Sequence, residues 1–214
     1  MRTFNLLVAA FALVQVVRYA RRGLFFLAPA VQVLPLEDEP DRSAHRLRLG
    51  AALEELGFVL LGVACERAAL GAFSSEADAY VSPGRAAFAD VLEEDATRRA
   101  RVRFFTPFPD GAAVLTAGFE KRAVLSPRLE AGGMPDAPLE DLLAAHEVAV
   151  RRFAARHGPP QVAPELAARL AAARAYYAGV GRSELRRGNA LAFALLLFAL
   201  VLFASSVKIL VATR

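Results

Sequence analysis

Acidic residues are missing from both ends of this 214-residue chain. All 22 Asp and Glu lie between Glu37 and Glu184, so the first 36 and last 30 residues carry cations only. The same two ends are the most apolar stretches, while the 148 residues between them are polar. Charge divides accordingly. The middle is net −4, and the ends are together +8 from Arg2, Arg18, Arg21, Arg22, Arg186, Arg187, Lys208 and Arg214. A pI near 9.7 therefore belongs to the flanks of apolar segments, where cations set sidedness and meet anionic lipid. No nucleic-acid partner is expected, because the middle is net acidic and holds no recognisable reading module.

Other scarcities exclude whole classes of chemistry. Cys65 is the single cysteine, which rules out an intramolecular disulfide and fits a reducing compartment. It lies in an apolar run, where a buried structural thiol is expected. Lysine occurs twice against 24 arginines in an alanine-rich chain, the usage of a GC-rich bacterial genome. There is no phosphate-binding G-x-x-x-x-G-K-S/T loop and no G-x-S-x-G elbow. Gly179-Val180-Gly181 lacks the third glycine of a dinucleotide fingerprint. His146-Glu147 begins like a zinc-protease motif, but Val150 stands where the second histidine ligand belongs. His146 falls on an apolar helical stripe and reads as a hydrogen-bonded core histidine, and Glu93, Glu94 and Asp95 read as a solvated turn. No cofactor and no metal is expected.

Against these absences stand two greasy ends. Residues 188–207 form a 20-residue uncharged stretch, about 30 Å as a helix and enough to cross a hydrocarbon core. Eleven Leu, Phe or Val residues between Ala190 and Val207, each worth about 0.3–0.6 kcal/mol near the helix centre, favour insertion. Arg182, Arg186 and Arg187 make a basic collar before it. Ala190 and Ala194 make a small-xxx-small pair suited to a partner helix. At the other end, residues 3–17 are uncharged but only 15 long. A spanning helix flanked by Arg18, Arg21 and Arg22 is the favoured reading, with an interfacial helix and an export signal as alternatives. If both ends span, both charge biases place the middle in the cytoplasm and both termini in the periplasm.

The organisation expected is an N-terminal membrane helix over 1–22 and a surface segment with acidic linker over 23–42. An α+β domain over 43–181 and a C-terminal transmembrane helix over 182–214 follow. Ser43 caps a helix bearing Leu49, Ala52, Leu53 and Leu56, which Gly57 stops. Strands are expected over 58–65, 77–82, 85–92, 101–108 and 112–119, the last two joined by the turn Pro109-Asp110-Gly111. After a loop with Pro127 and Gly132-Gly133, helices start near Pro138 and Pro164. The fold class is α+β: an antiparallel sheet of about five strands covered on one face by helices, plus one or two transmembrane helices.

One surface cluster carries a binding expectation. Arg99, Arg101 and Arg103 alternate, so a strand projects them from one face, and Arg98 extends the strip. It suits anionic headgroups or an acidic partner, although an edge strand blunted by charge explains it as well. The density of Phe104, Phe105 and Phe108 suggests one outward-facing ring, with Phe105 assigned to a partner contact.

Leu53-Glu54-Glu55-Leu56-Gly57-Phe58, Phe104-Phe105-Thr106-Pro107-Phe108, Asp110-Gly111, and Leu139-Glu140-Asp141-Leu142-Leu143 with His146 resemble a set of uncharacterised, GC-rich bacterial membrane-associated proteins. The resemblance implies a small α+β domain beside membrane helices and carries no activity. The chain thus reads as a non-enzymatic, membrane-anchored accessory or scaffolding subunit of a bacterial inner-membrane assembly, in contact with lipid and other membrane subunits. The alternative is a membrane-tethered sensor or enzyme with a pocket near His146, Cys65 and Asp110.

Overall fold

Unbroken runs of Ala, Leu, Phe and Val without proline make the two ends helical. In the computed structural model, which describes residues 2–37, 41–94 and 99–212, α1 is Arg2–Leu27 and α5 is Val180–Ala212. At 26 and 33 residues they are about 39 and 50 Å long, and both are apolar enough to cross a membrane. α1 runs past residue 22, where a surface segment was expected to begin. Nothing breaks it before Pro29, and Gly23 is kept helical by packing: a Cβ there would lie 2.7 Å from Leu196 Cδ2.

The chain divides into two units, one of which joins 1–30, 68–73 and 182–214. Within it α1 and α5 run antiparallel. Gly23 meets Leu196, and the rings of Phe26 and Phe193 stack at 4.6 Å. Ala9 and Ala12 on α1, with Leu196, Ala199 and Ser206 on α5, are buried. Phe4, Leu7, Phe11, Val17, Phe198 and Val201 leave a large apolar surface outside. The 68–73 loop closes on the same unit, Phe73 meeting Phe25 edge-on at 6.0 Å.

The second unit, 31–67 with 74–181, is the α+β domain. Its sheet has eight strands, not five. They are β1 Val31–Leu36, β2 Val59–Ala68, β3 Ser74–Ser82, β4 Ala87–Glu94, β5 Arg99–Pro107, β6 Ala113–Ala117, β7 Val124–Ser126 and β8 Leu129–Gly133, in the spatial order β1-β2-β3-β4-β5-β6-β8-β7. β2 to β6 form an antiparallel meander, but β8 lies parallel to β6, so the sheet is mixed. Gly133 ends β8 where a side chain could not fit, since a Cβ would lie 2.1 Å from the Phe119 carbonyl oxygen.

Three helices cover the sheet. α2 (Ala44–Glu55) is capped by Ser43, whose Oγ accepts the Arg46 N–H at 3.1 Å. With α3 (Leu139–His157) it covers one face, closing a core of Leu53, Phe58, Ala89, Val91, Val102, Phe104 and Leu142. α4 (Leu166–Ala178) packs on the opposite face, where Leu170 and Ala173 meet Val33, Ala64 and Ala79. The expectation of helices on one face only is therefore corrected. Gly179 alone separates α4 from α5.

Candidate functional site

Alternation along the strands decides which charges are buried. On β5 the residues 100, 102 and 104 point to α2 and α3, so 103 and 105 point to the α4 face. Asp90 on β4 is the direct cross-strand neighbour of Arg103. β3 presents the small Ala77 and Ala79 to this face, with Val81 further along it, and the two alanines leave room for Glu66 to reach over from β2. α4 supplies Arg169 and Tyr177 from above.

The result is a buried, charge-balanced cluster. Asp90 is fully buried and accepts from Arg103 Nε and Nη2 (3.0 and 2.8 Å) and from Arg169 Nε and Nη2. Glu66 accepts from Arg103 Nη2 at 2.8 Å and from the Tyr177 hydroxyl at 2.6 Å. Burial pushes the Asp90 carboxyl upward, yet Arg169 and Arg103 together overcome that and hold it below its usual range. Burial, then Glu66, pushes the Tyr177 phenol far up, so it stays a neutral donor. Arg169 lies over Phe88 and Phe105, which are cross-strand neighbours on this face, its guanidinium carbon 5.9 and 5.1 Å from the ring centroids. Its buried Nη1 has no hydrogen-bond partner among the described residues, and the crevice beside it has room for about one water.

Three further polar groupings lie apart from this cluster. Arg46, buried on α2, makes a two-pronged pair with Asp78 at 2.7 and 2.9 Å. His146 is fully buried between two threonines. Thr106 Oγ1 donates to the Ala86 carbonyl at 2.8 Å, so at 2.9 Å from Nε2 it can only accept. The ring therefore carries its proton on Nε2, and Nδ1 accepts from Thr116 Oγ1 at 2.9 Å. With no charge nearby to compensate, burial lowers the His146 pKa to about 3. At the β5–β6 turn, Asp110 Oδ2 sits 2.8 Å from His157 Nδ1. The Ala112 N–H, then His157, lower the Asp110 carboxyl.

The arginine strip is divided. Arg99 pairs with Asp136 at 2.8 Å, both exposed, and Arg101 lies over the Phe119 ring at 5.8 Å. Together with Gly118, Glu120 and Pro135 they line a groove of about 250 Å³. Arg103 does not continue the strip, because it is drawn into the buried cluster. Phe105 is no surface contact either. It is 3% exposed and packs edge-on against Tyr176 at 5.7 Å, because α4 covers its face. Arg98 lies outside the described residues.

Of the arginines expected to flank the membrane helices, Arg18, Arg21 and Arg22 are exposed on α1, and Arg182 and Arg187 are exposed on α5. Arg186 reaches the Leu27 carbonyl at 3.4 Å and so caps the end of α1. Ala190 and Ala194 are exposed and lie off the stripe that faces α1. The alternative pocket residues do not converge. Cys65 is buried on β2, His146 is sealed against β5 and β6, and Asp110 is in the turn beyond them.

None of Glu66, Asp90, Arg169 and Tyr177 is among the site residues expected from the sequence. Asp90 and Arg169 do carry a signal, a lone charge inside an apolar run, as Asp90 in Ala86–Leu92 and Arg169 on the stripe of Leu166, Leu170 and Ala173. Compared with protein-family models, curated proteins and solved structures, the chain matches none.

Proposed function

We propose that this chain is a membrane-anchored accessory subunit of a bacterial inner-membrane assembly, in which the α5–α1 hairpin spans the bilayer and the α+β domain binds other components. The observation carrying this reading is the antiparallel pair of long helices with large apolar side chains exposed along both. Water disfavours such a surface, and a bilayer accommodates it. Antiparallel packing puts the start of α1 and the end of α5 at one end of the helix pair, and the end of α1 and the start of α5 at the other. The collar of Arg182, Arg186 and Arg187 against Lys208 and Arg214 favours a cytoplasmic domain and periplasmic termini. The α+β interior favours a structural role, since its buried charges neutralise one another and His146 is held neutral.

The test is extraction of native membranes with alkaline carbonate, followed by purification in mild detergent. The chain should stay in the pellet and then travel with other membrane proteins. Release without detergent, or purification as an isolated chain, would refute the reading. A second reading, a tethered sensor of a small anion, draws support from the groove at Arg99, Arg101 and Phe119. It requires saturable binding that Arg101→Gln abolishes while the fold persists.

A further inference from the structure

Taking the membrane reading as its basis, we infer that Arg18, Arg21 and Arg22 form a docking surface, within the bilayer, for a partner transmembrane helix that carries a carboxylate. Register carries the inference. Gly23 packs on Leu196 and Phe26 on Phe193, so each step forward on α1 is a step back on α5. Arg18–Arg22 therefore lie level with Leu197–Val201. That is the centre of the uncharged stretch 188–207, the more apolar of the two spans, with a mean hydropathy of 2.6 against 1.5.

Two consequences follow. α5 sets the depth, and the three guanidinium groups then sit about 14 to 20 Å below the edge of the hydrocarbon layer on the domain side. An arginine side chain reaches only about 6 Å, too short to bring a lipid phosphate within contact. All three are exposed, facing away from the helix pair, and none makes an ion pair among the described residues. Nor can this unit supply a counter-charge, because Glu184 is the single acid in its sequence. Cations at such depth persist when paired, and the complementary group at that depth is a carboxylate on another membrane helix.

The experiment uses the full chain carrying Cys65→Ala and Val201→Cys, reconstituted in phosphatidylcholine vesicles. Association is followed by energy transfer to a polyleucine helix of about 21 residues bearing one central Glu, or Gln in its place. The Glu peptide should associate about tenfold more tightly than the Gln peptide. The preference should vanish in Arg18→Gln/Arg21→Gln/Arg22→Gln and survive in Arg182→Gln/Arg187→Gln. Equal association of the two peptides with the unsubstituted arginines overturns the inference without needing the triple variant to insert. So does a dependence on the three arginines that shows only with anionic phosphatidylglycerol and no peptide preference, which would assign them to lipid. Labelling of Val201→Cys by a membrane-impermeant maleimide refutes the membrane reading together with the inference. Protection of that cysteine with equal peptide binding refutes the inference alone.

Discussion

His146 makes the stability of the α+β domain depend on pH in a calculable direction. Its imidazole is neutral when folded, with a pKa lowered to about 3, whereas in the unfolded chain a histidine titrates near pH 6.5. Between those values the unfolded state binds the extra proton, so stability rises with pH across the window and falls on acidification. The slope rises to about 1.4 kcal/mol per pH unit once the unfolded histidine is protonated, which gives about 2.3 kcal/mol lost between pH 6.5 and 4.5. Carboxylates also begin to protonate by pH 4.5, so the difference between the unsubstituted chain and a His146→Gln variant isolates the histidine. The physical event is specific: a proton on Nδ1 would turn the acceptor facing Thr116 into a second donor inside a sealed core. Urea unfolding of the full chain in nonionic detergent, followed by far-UV circular dichroism at both pH values, measures the loss. His146→Gln keeps a donor and an acceptor without a titrating group. It is expected to lower stability at pH 7 and to remove about 2.3 kcal/mol of the acid sensitivity. The reasoning fails if the unsubstituted chain and the Gln variant show the same pH dependence.

Asp90→Asn should be among the most damaging single changes, since it leaves two buried guanidinium groups facing Glu66 alone. The expected cost is about 3–5 kcal/mol, read as a drop of about 6–20 °C in Tm by circular dichroism. Asp90→Leu combined with Arg169→Leu should recover most of that, because Arg103 keeps Glu66 and the unpartnered Nη1 is gone. In the unsubstituted chain the depressed Asp90 carboxyl contributes stability above about pH 3.9, and acid titration should show it lost as pH falls through the lower folded value. Gly181→Ala places a Cβ 2.5–2.8 Å from the Tyr176 ring, and Tyr176 in turn supports Phe105. A loss of about 1–3 kcal/mol in the same urea assay is expected. Gly23→Leu should drive α1 from α5. Cysteines replacing Phe26 and Phe193 should join through a short thiol cross-linker in the Gly23 chain, and far less in the Leu variant.

The central meander was readable because each strand is bounded by a strong turn signal, most clearly Pro109-Asp110-Gly111, where Gly111 takes φ +79°. The strands that escaped notice lie towards the two edges of the sheet. β1 contains Pro35, β7 is three residues long, and β8 ends in Gly132-Gly133. Edge strands are where proline, glycine and brevity are tolerated, so they carry the weakest alternation. The misjudged face has a related cause. Phe104, Phe105 and Thr106 are buried in succession, which is what a strand covered on both sides shows. Read under the assumption of one covered face, the same density suggested that a ring pointed outward. Placing α4 opposite α2 and α3 removes that tension and draws Arg103 inward with it.

Periodicity could not reveal the buried cluster, because its members come from β2, β4, β5 and α4 and only pairing brings them together. What was visible is that isolated charges interrupt apolar runs, and such charges are costly unless they find one another. In the α+β domain they do: two carboxylates meet two guanidinium groups on the α4 face, and Asp78 meets Arg46 on the other. The helical unit is different, with nine cations in its sequence against Glu184. A domain that satisfies its own buried charges has little electrostatic reason to recruit a partner through its interior. A hairpin that cannot do so has one, and Arg18, Arg21 and Arg22 are the residues through which that demand would be met.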